Sequence, residues 1–290
     1  MMDGGAGVRY FLPRFKIATL APPQTRLVSK IGGLPWGFPG RMWPKCCGHP
    51  QKLVAQLVHD PPMLDLGAPG LVLHLFHCID CDLGCSHAGR STVLVDQSQL
   101  GSGLTRVEGW DYKPELGESL VGELFIDAWE EGDDGIPPAR LPEFFDERKL
   151  YDLHHEFGAI DWFEGRNSTR FGGSPRWTGN GPMQAPEAPY EFLFQIASGL
   201  WLEGPPPDAE DVGCQVLTTI LQKEPLRIVE QTAVAPRSGV RTVNAPWYLD
   251  HGQGDNHHWA SFDNLGSDGT IFVFTDRTGS LPRILWFWNR

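Results

Sequence analysis

Ser29-Lys30-Ile31-Gly32-Gly33-Leu34-Pro35-Trp36, followed by Leu53-Val54-Ala55-Gln56-Leu57, is the stretch around which this chain is organised. Its features return later as Thr169-Arg170-Phe171-Gly172-Gly173-Ser174-Pro175-Arg176-Trp177 and then Phe192-Leu193-Phe194-Gln195-Ile196. In each copy a hydroxyl residue and a cation precede an apolar residue, then come Gly-Gly-x-Pro and a nearby Trp. An apolar run carrying one Gln follows at a similar distance. Adjacent glycines take positive φ at no steric cost and the proline fixes the next bend, so each copy predicts a rigid turn that feeds a strand. The repetition predicts an internal duplication with two related lobes.

The composition extends that reading. The 290 residues are 41% hydrophobic and 21% charged, in the range of a globular chain. Gly 34 and Pro 25 favour many short strands and irregular loops over long helices. The expected fold class is β-rich α+β, with mostly antiparallel sheets and few helices. The 11 Trp read as core and loop-covering aromatics. A net charge of −12 argues against non-specific binding to a phosphate backbone and fits a basic protein partner. Arg9, Pro13, Arg14 and Lys16 interrupt every early apolar stretch, and no window reaches membrane-spanning length. The expectation is therefore a cytoplasmic protein with no membrane partner, whose six Cys are thiols or metal ligands rather than a disulfide framework.

Along the chain, Val8 to Leu20 is mixed in character and Ala21-Pro22-Pro23 stops any regular element. Strands are expected at Leu53–Val58, Gly70–Cys78 and Thr92–Val95, completing a first lobe over 1–107. From Glu108 to Glu164 the count is 17 acidic against 4 basic residues. Phe144, Leu150, Leu153 and Phe157 give part of it an apolar stripe at helical spacing, so 108–165 reads as an acidic, partly helical connector. The second lobe, 166–290, carries an insertion over 200–264. Within that insertion Gly213–Leu221 and Leu226–Ala235 read as a strand pair. Gly269–Phe274 answers the first lobe's Gly70–Phe76 run, and Ile284–Trp288 closes the chain as a strand.

The chemistry-bearing residues cluster in the first lobe. Cys78-x2-Cys81-x3-Cys85 places thiols around a tight turn after a strand, and Cys47-Gly48-His49-Pro50 forms a knuckle before the neighbouring one. Zinc takes four soft ligands in a tetrahedron, commonly from two such turns, so Cys47, Cys78, Cys81 and Cys85 are the candidate ligands of a structural zinc. Cys46, His49, His77 and His87 are substitutes. Cys46 and Cys47 are not expected to share one ion, because adjacent side chains diverge. In the insertion, Asp250-His251, Asp255 and His257-His258-Trp259 supply groups for metal binding or acid–base work. Their spacing matches no zincin or phosphoesterase motif, and Gly252 and Gly254 mark a loop. The chain has no P-loop, no Gly-x-Gly-x-x-Gly and no Gly-x-Ser-x-Gly elbow, and no catalytic residue is assigned.

Ser29-Lys30-Ile31-Gly32-Gly33-Leu34-Pro35-Trp36, Trp43-Pro44, Cys47-Gly48-x-Pro50, the run ending in Gln56 and Leu75-Phe76-His77-Cys78 together resemble the bacterial YwqG-like family. They also resemble the related eukaryotic programmed-cell-death-2 proteins and their yeast ribosome-biogenesis relative. Phe171-Gly172-Gly173-Ser174-Pro175, Gln195 and Leu285-Trp286-Phe287-Trp288 fit the family's duplicated half. One departure stands out: the family's knuckle pairs its second Cys with one two residues upstream, where this chain has Cys46 directly adjacent to Cys47. The resemblance implies a protein-binding role, since the eukaryotic members act in ribosome assembly by chaperoning a ribosomal protein. The leading expectation is a non-enzymatic, chaperone-like or immunity-type binding module with a structural zinc. The alternative is a metal-dependent hydrolase or RNA-processing factor that uses His251, His257 and His258.

Overall fold

The computed structural model describes residues 7–17, 26–78, 89–105, 107, 124–160, 169–178, 181–197, 199–203, 240–242, 248–251, 257–261 and 270–289. In chain order the strands are β1 (Arg9–Ile17), β2 (Lys30–Ile31), β3 (Lys45–Cys46), β4 (His49–Pro50), β5 (Lys52–Val58), β6 (Leu71–His77), β7 (Arg90–Asp96) and β8 (Leu124–Asp133). They continue with β9 (Arg170–Gly172), β10 (Glu191–Ile196), β11 (Gly199–Glu203), β12 (Val240–Thr242), β13 (Tyr248–His251), β14 (His257–Ser261), β15 (Thr270–Asp276) and β16 (Arg283–Asn289). The one α-helix among the described residues, α1 (Leu150–Phe157), follows a 3-10 segment, Pro138–Phe145. The described residues are thus strand-dominated with few helices, as composition predicts. Among the described strands only the β1–β11 ladder is parallel.

Among the described residues all strands except the β3–β4 hairpin join one sheet of 14 strands. From one edge it runs β7, β6, β5, β2, β8 and β1. The far side of β1 is then shared, with β9 pairing at Tyr10 and Phe11 and β11 pairing at Phe15. From β9 the sheet continues through β10 and β15 to β16, and from β11 through β14 and β13 to β12. Taken from β7 to β16 the order is the same from both ends about the β8–β1 pair. β8 takes the place of β1, β9 that of β2, β10 that of β5, β15 that of β6 and β16 that of β7. The first half's β2 is edged by β8, and the second half's β9 by β1.

β1 and β8 were not expected. Val8–Leu20 gave no clear period, and β8 lies inside the stretch read as a connector. Their ladder runs from Arg9↔Asp133 to Ile17↔Leu124, with a bulge between Arg14 and Phe15. Phe11, Leu12 and Phe15 are buried, while Arg9 pairs with Glu131 at 3.2 Å and Arg14 with Glu130 at 2.9 Å on the exposed side. Exposed pairs of this kind contribute about 0–1 kcal/mol each, so apolar burial holds the strands and the charges favour this register.

The main core takes Ile31, Val54, Leu57, Leu73 and Leu75 from one half and Phe171, Phe194, Ile271, Val273 and Trp286 from the other. Two smaller clusters flank it. One, with Leu34, Phe38, Trp43, Leu53, Phe76 and Val95, lies under the first turn. The other packs Phe144, Leu150 and Leu153 of the helical segment on Trp177, Phe272 and Phe274, which realises the predicted apolar stripe. The sheet curls until its ends meet through side chains. The Arg90 guanidinium of β7 lies 4.8 Å from the Trp288 ring centroid and 5.9 Å from that of Trp286, and His77 meets the Trp288 ring edge-on.

In the insertion, β11–β14 extend the sheet beyond β1. The strand pair expected at Gly213–Leu221 and Leu226–Ala235 lies outside the described residues. No helix among the described residues is long and apolar enough to cross a membrane.

Candidate metal centre

The thiol knuckle is a two-residue hairpin. Cys46 of β3 stands opposite His49 of β4, leaving Cys47 and Gly48 as the turn. Both have positive φ, 51° at Cys47 and 81° at Gly48, as a type I′ turn requires. Cys47 is the one non-glycine with positive φ among the described residues. The hairpin's base is tied down where the Gln51 backbone N–H donates to the Pro44 carbonyl (2.9 Å) and the Trp43 indole N–H donates to the Gln51 carbonyl (2.8 Å).

This geometry corrects the expectation that Cys46 and Cys47 point apart. With Cys47 in the left-handed region the two sulfurs converge to 3.9 Å, and Cys78 at the end of β6 brings its Sγ into the same cluster, all within 4.8 Å. Cys46 and Cys78 are buried and Cys47 is exposed. The Cys78 backbone N–H donates to the Gly89 carbonyl at 2.7 Å, which pins the base of the β6–β7 connection. Sulfurs on a tetrahedral zinc, with bonds of about 2.3 Å, lie about 3.8 Å apart, so the Cys46–Cys47 spacing already fits an edge of that tetrahedron. The cluster is a set of soft donors suited to a metal ion.

Of the predicted ligands the structure therefore unites Cys47 and Cys78 and adds Cys46. Cys81, Cys85 and His87 lie outside the described residues. His77 is not in the cluster: its ring is turned to Trp288, on the opposite side of the strand from Cys78. For His49 only the backbone is described, in β4.

The repeated turns bury a second set of polar groups, Lys30 and Gln56 in the first half and Thr169, Arg170, Ser174 and Gln195 in the second. Gly32, Gly33, Gly172 and Gly173 all have φ near 70°. In the first turn the Trp36 backbone N–H donates to Gln56 Oε1 at 2.7 Å, and in the second the Arg176 backbone N–H donates to Gln195 Oε1 at 2.7 Å. Ser29 Oγ accepts from the Val58 N–H at 2.9 Å, and Thr169 Oγ1 accepts from the Ala197 N–H at 3.0 Å. The hydroxyl, the glycine pair and the Gln that recur in sequence are thus the parts of one turn clamp. The buried cations differ. Lys30 Nζ donates to the Leu34 carbonyl at 2.5 Å, whereas Arg170 pairs with Asp134 at 2.7 Å and lies 3.9 Å from the Tyr10 ring centroid.

Asp134 was not singled out by the sequence, yet it gathers Arg170, Arg176 and both the N–H and the hydroxyl of Ser174. Burial by itself would raise its pKa. The charge of Arg170, the Ser174 N–H and the charge of Arg176 hold it below the usual carboxylate range. His74, opposite Gln56 in the ladder, is pushed down to about 3, first by burial and then by the charge of Lys30, and is therefore neutral. In the second half Phe272 occupies the corresponding place, opposite Gln195.

The histidines of the alternative reading lie on a hairpin rather than in an open loop. His251 ends β13 opposite His258 of β14, and His257 stands opposite Glu203 of β11. No protein-family model matches the chain, and no curated protein sequence matches it.

Proposed function

We propose that this chain is a non-enzymatic protein-binding module of the YwqG-like kind, descended from an internal duplication, whose first half is stapled by zinc and whose client is a basic polypeptide. The observation that carries the metal part is the convergence of Cys46 and Cys47, from a hairpin whose base is closed by a backbone hydrogen bond, with Cys78 from the end of β6. Three thiolates supply all but one position of a tetrahedral site, and the sequence offers Cys81 and Cys85 for the fourth. A thiolate-rich set of this kind closes the coordination sphere, which suits a structural ion whose binding energy adds to folding.

The binding role is supported by how the buried charged groups are used. Lys30, Arg170 and Asp134 all point into their own turns, where they hold backbone or one another. They serve architecture rather than a reacting group. The charge of −12, together with exposed Asp127 on β8, favours a basic client.

Two measurements test the two parts. Elemental analysis of protein purified without chelators is expected to give close to one zinc per chain, and a value near zero would overturn the metal assignment. Affinity capture followed by mass spectrometry is expected to return a basic polypeptide whose binding weakens steeply with salt. A partner that is acidic, or binding indifferent to salt, would overturn the client assignment.

A further inference from the structure

We propose that Cys47 is a peroxide-sensitive thiol and that Cys78 resolves its oxidation, giving a Cys47–Cys78 disulfide. Cys47 is the exposed member of the cluster, on the tip of the β3–β4 turn, whereas Cys46 and Cys78 are 7% and 2% exposed. Oxidation of thiols follows access and thiolate character, so a small diffusing oxidant reaches Cys47 first. Two buried sulfurs then stand within 4.8 Å.

Chain geometry selects between them. Adjacent Cα atoms are about 3.8 Å apart across a trans peptide, short of the roughly 4.4–6.8 Å of ordinary disulfides. A Cys46–Cys47 bond would therefore distort the turn that brings the sulfurs together. Cys78 comes from another strand and carries no such restriction.

In the chemistry, the Cys47 thiolate attacks a peroxide oxygen and loses two electrons to become the sulfenic acid, and hydroxide leaves. The Cys78 thiolate then attacks the Cys47 sulfur, the S–S bond forms, and the sulfenic oxygen departs as hydroxide. Two protons convert the two hydroxides to water. The inference uses only the positions of the thiols and holds whether or not a metal is bound. Where zinc is bound, the step removes two of its ligands and releases it.

The test treats the full chain, both as purified and after chelator treatment, with hydrogen peroxide, then blocks residual thiols and maps peptides without reduction. A Cys47–Cys78 crosslinked peptide is expected, reversible by dithiothreitol, absent from Cys47→Ser and Cys78→Ser, and retained in Cys46→Ser. A Cys46–Cys47 bond, a bond from Cys47 to Cys81 or Cys85, or Cys47 advancing to sulfinic acid in the unsubstituted protein would overturn the proposal. The map of the unsubstituted protein decides the matter even if a variant folds poorly. Zinc measured on the as-purified protein, before chelator or peroxide is added, separates the two proposals. A crosslink without zinc counts against the metal reading alone, and zinc without the crosslink counts against this one alone.

Discussion

Asp134, just beyond β8, and Arg170, which opens β9, form an ion pair of 2.7 Å in which each side chain is 1% exposed. Removing the carboxylate leaves Arg170 buried without its counter-charge, a change that costs about 3–5 kcal/mol in comparable sites. Asp134→Ala is therefore expected to lower the unfolding free energy obtained from urea titration by that much. A loss below about 1 kcal/mol, the value of an exposed pair, would show that the pair does not hold the turn.

The two glutamines make a matched prediction. Gln56→Ala and Gln195→Ala each leave a backbone N–H without its acceptor, at a cost of about 1–3 kcal/mol. Amide exchange gives the local readout. The Trp36 amide should lose protection in Gln56→Ala while that of Arg176 keeps it, and the reverse should hold in Gln195→Ala. Equal effects at both amides in either variant would refute separate clamps.

Gly173 and Gly48 both have positive φ but differ in surroundings. A Cβ on Gly173 would lie 2.7 Å from the Tyr10 Cβ and 2.8 Å from Asp134 Oδ2, whereas at Gly48 nothing lies within 4 Å. Gly48→Ala should cost about 1–2 kcal/mol for the left-handed backbone. Gly173→Ala should add about 1–3 kcal/mol of overpacking. Thermal unfolding of the pair measures the difference, and the reverse ranking would contradict this packing.

His74 predicts a pH dependence of definite sign. Its pKa falls from 6.5 to about 3 on folding, so between those values the unfolded chain binds a proton that the folded chain refuses. The contribution of this group to stability therefore declines as pH falls from about 6.5 toward 3. His74→Phe copies the second half, where Phe272 faces Gln195, and should remove that decline while staying within about 1.5 kcal/mol of the parent at neutral pH. Unfolding midpoints measured across that pH range check it, and an unchanged slope would count against the assignment.

Cys46 supplies the fifth prediction. Cys46→Ser should reduce zinc content as much as Cys47→Ser, because both sulfurs sit in the cluster. Full retention in Cys46→Ser beside loss in Cys47→Ser would remove Cys46 from the ligand set.

The recurring turn was legible in sequence because the same residue types return at similar spacing. The hydrogen bonds by which Gln56 and Gln195 hold it were not, since each joins segments about 20 residues apart. β1 and β8 were not legible. Pro13, Arg14 and Lys16 obscure the alternation of the first, and an acidic run obscures that of the second. What makes both strands is their mutual pairing, a long-range fact that neither segment carries alone. Asp134 stayed hidden for a similar reason: one carboxylate among neighbours of the same type differs from them only through Arg170 and Arg176, distant in sequence. The convergence of Cys46 and Cys47 depends on a left-handed cysteine, a conformation that sequence reasoning rightly treats as uncommon.

The edging of β2 by β8, and of β9 by β1, bears on the order in which the protein can be made. As the chain emerges from the ribosome, β2, β5, β6 and β7 are complete long before residues 124–133 appear, and until then the outer edge of β2 has nothing to pair with. β1 waits longer still, since β8, β9 and β11 all follow the first half. A nascent chain halted near residue 110 therefore leaves the outer edge of β2 and both edges of β1 without their partners, the kind of surface that recruits wrong neighbours. The first half completes its share of the sheet only with strands that the second half supplies.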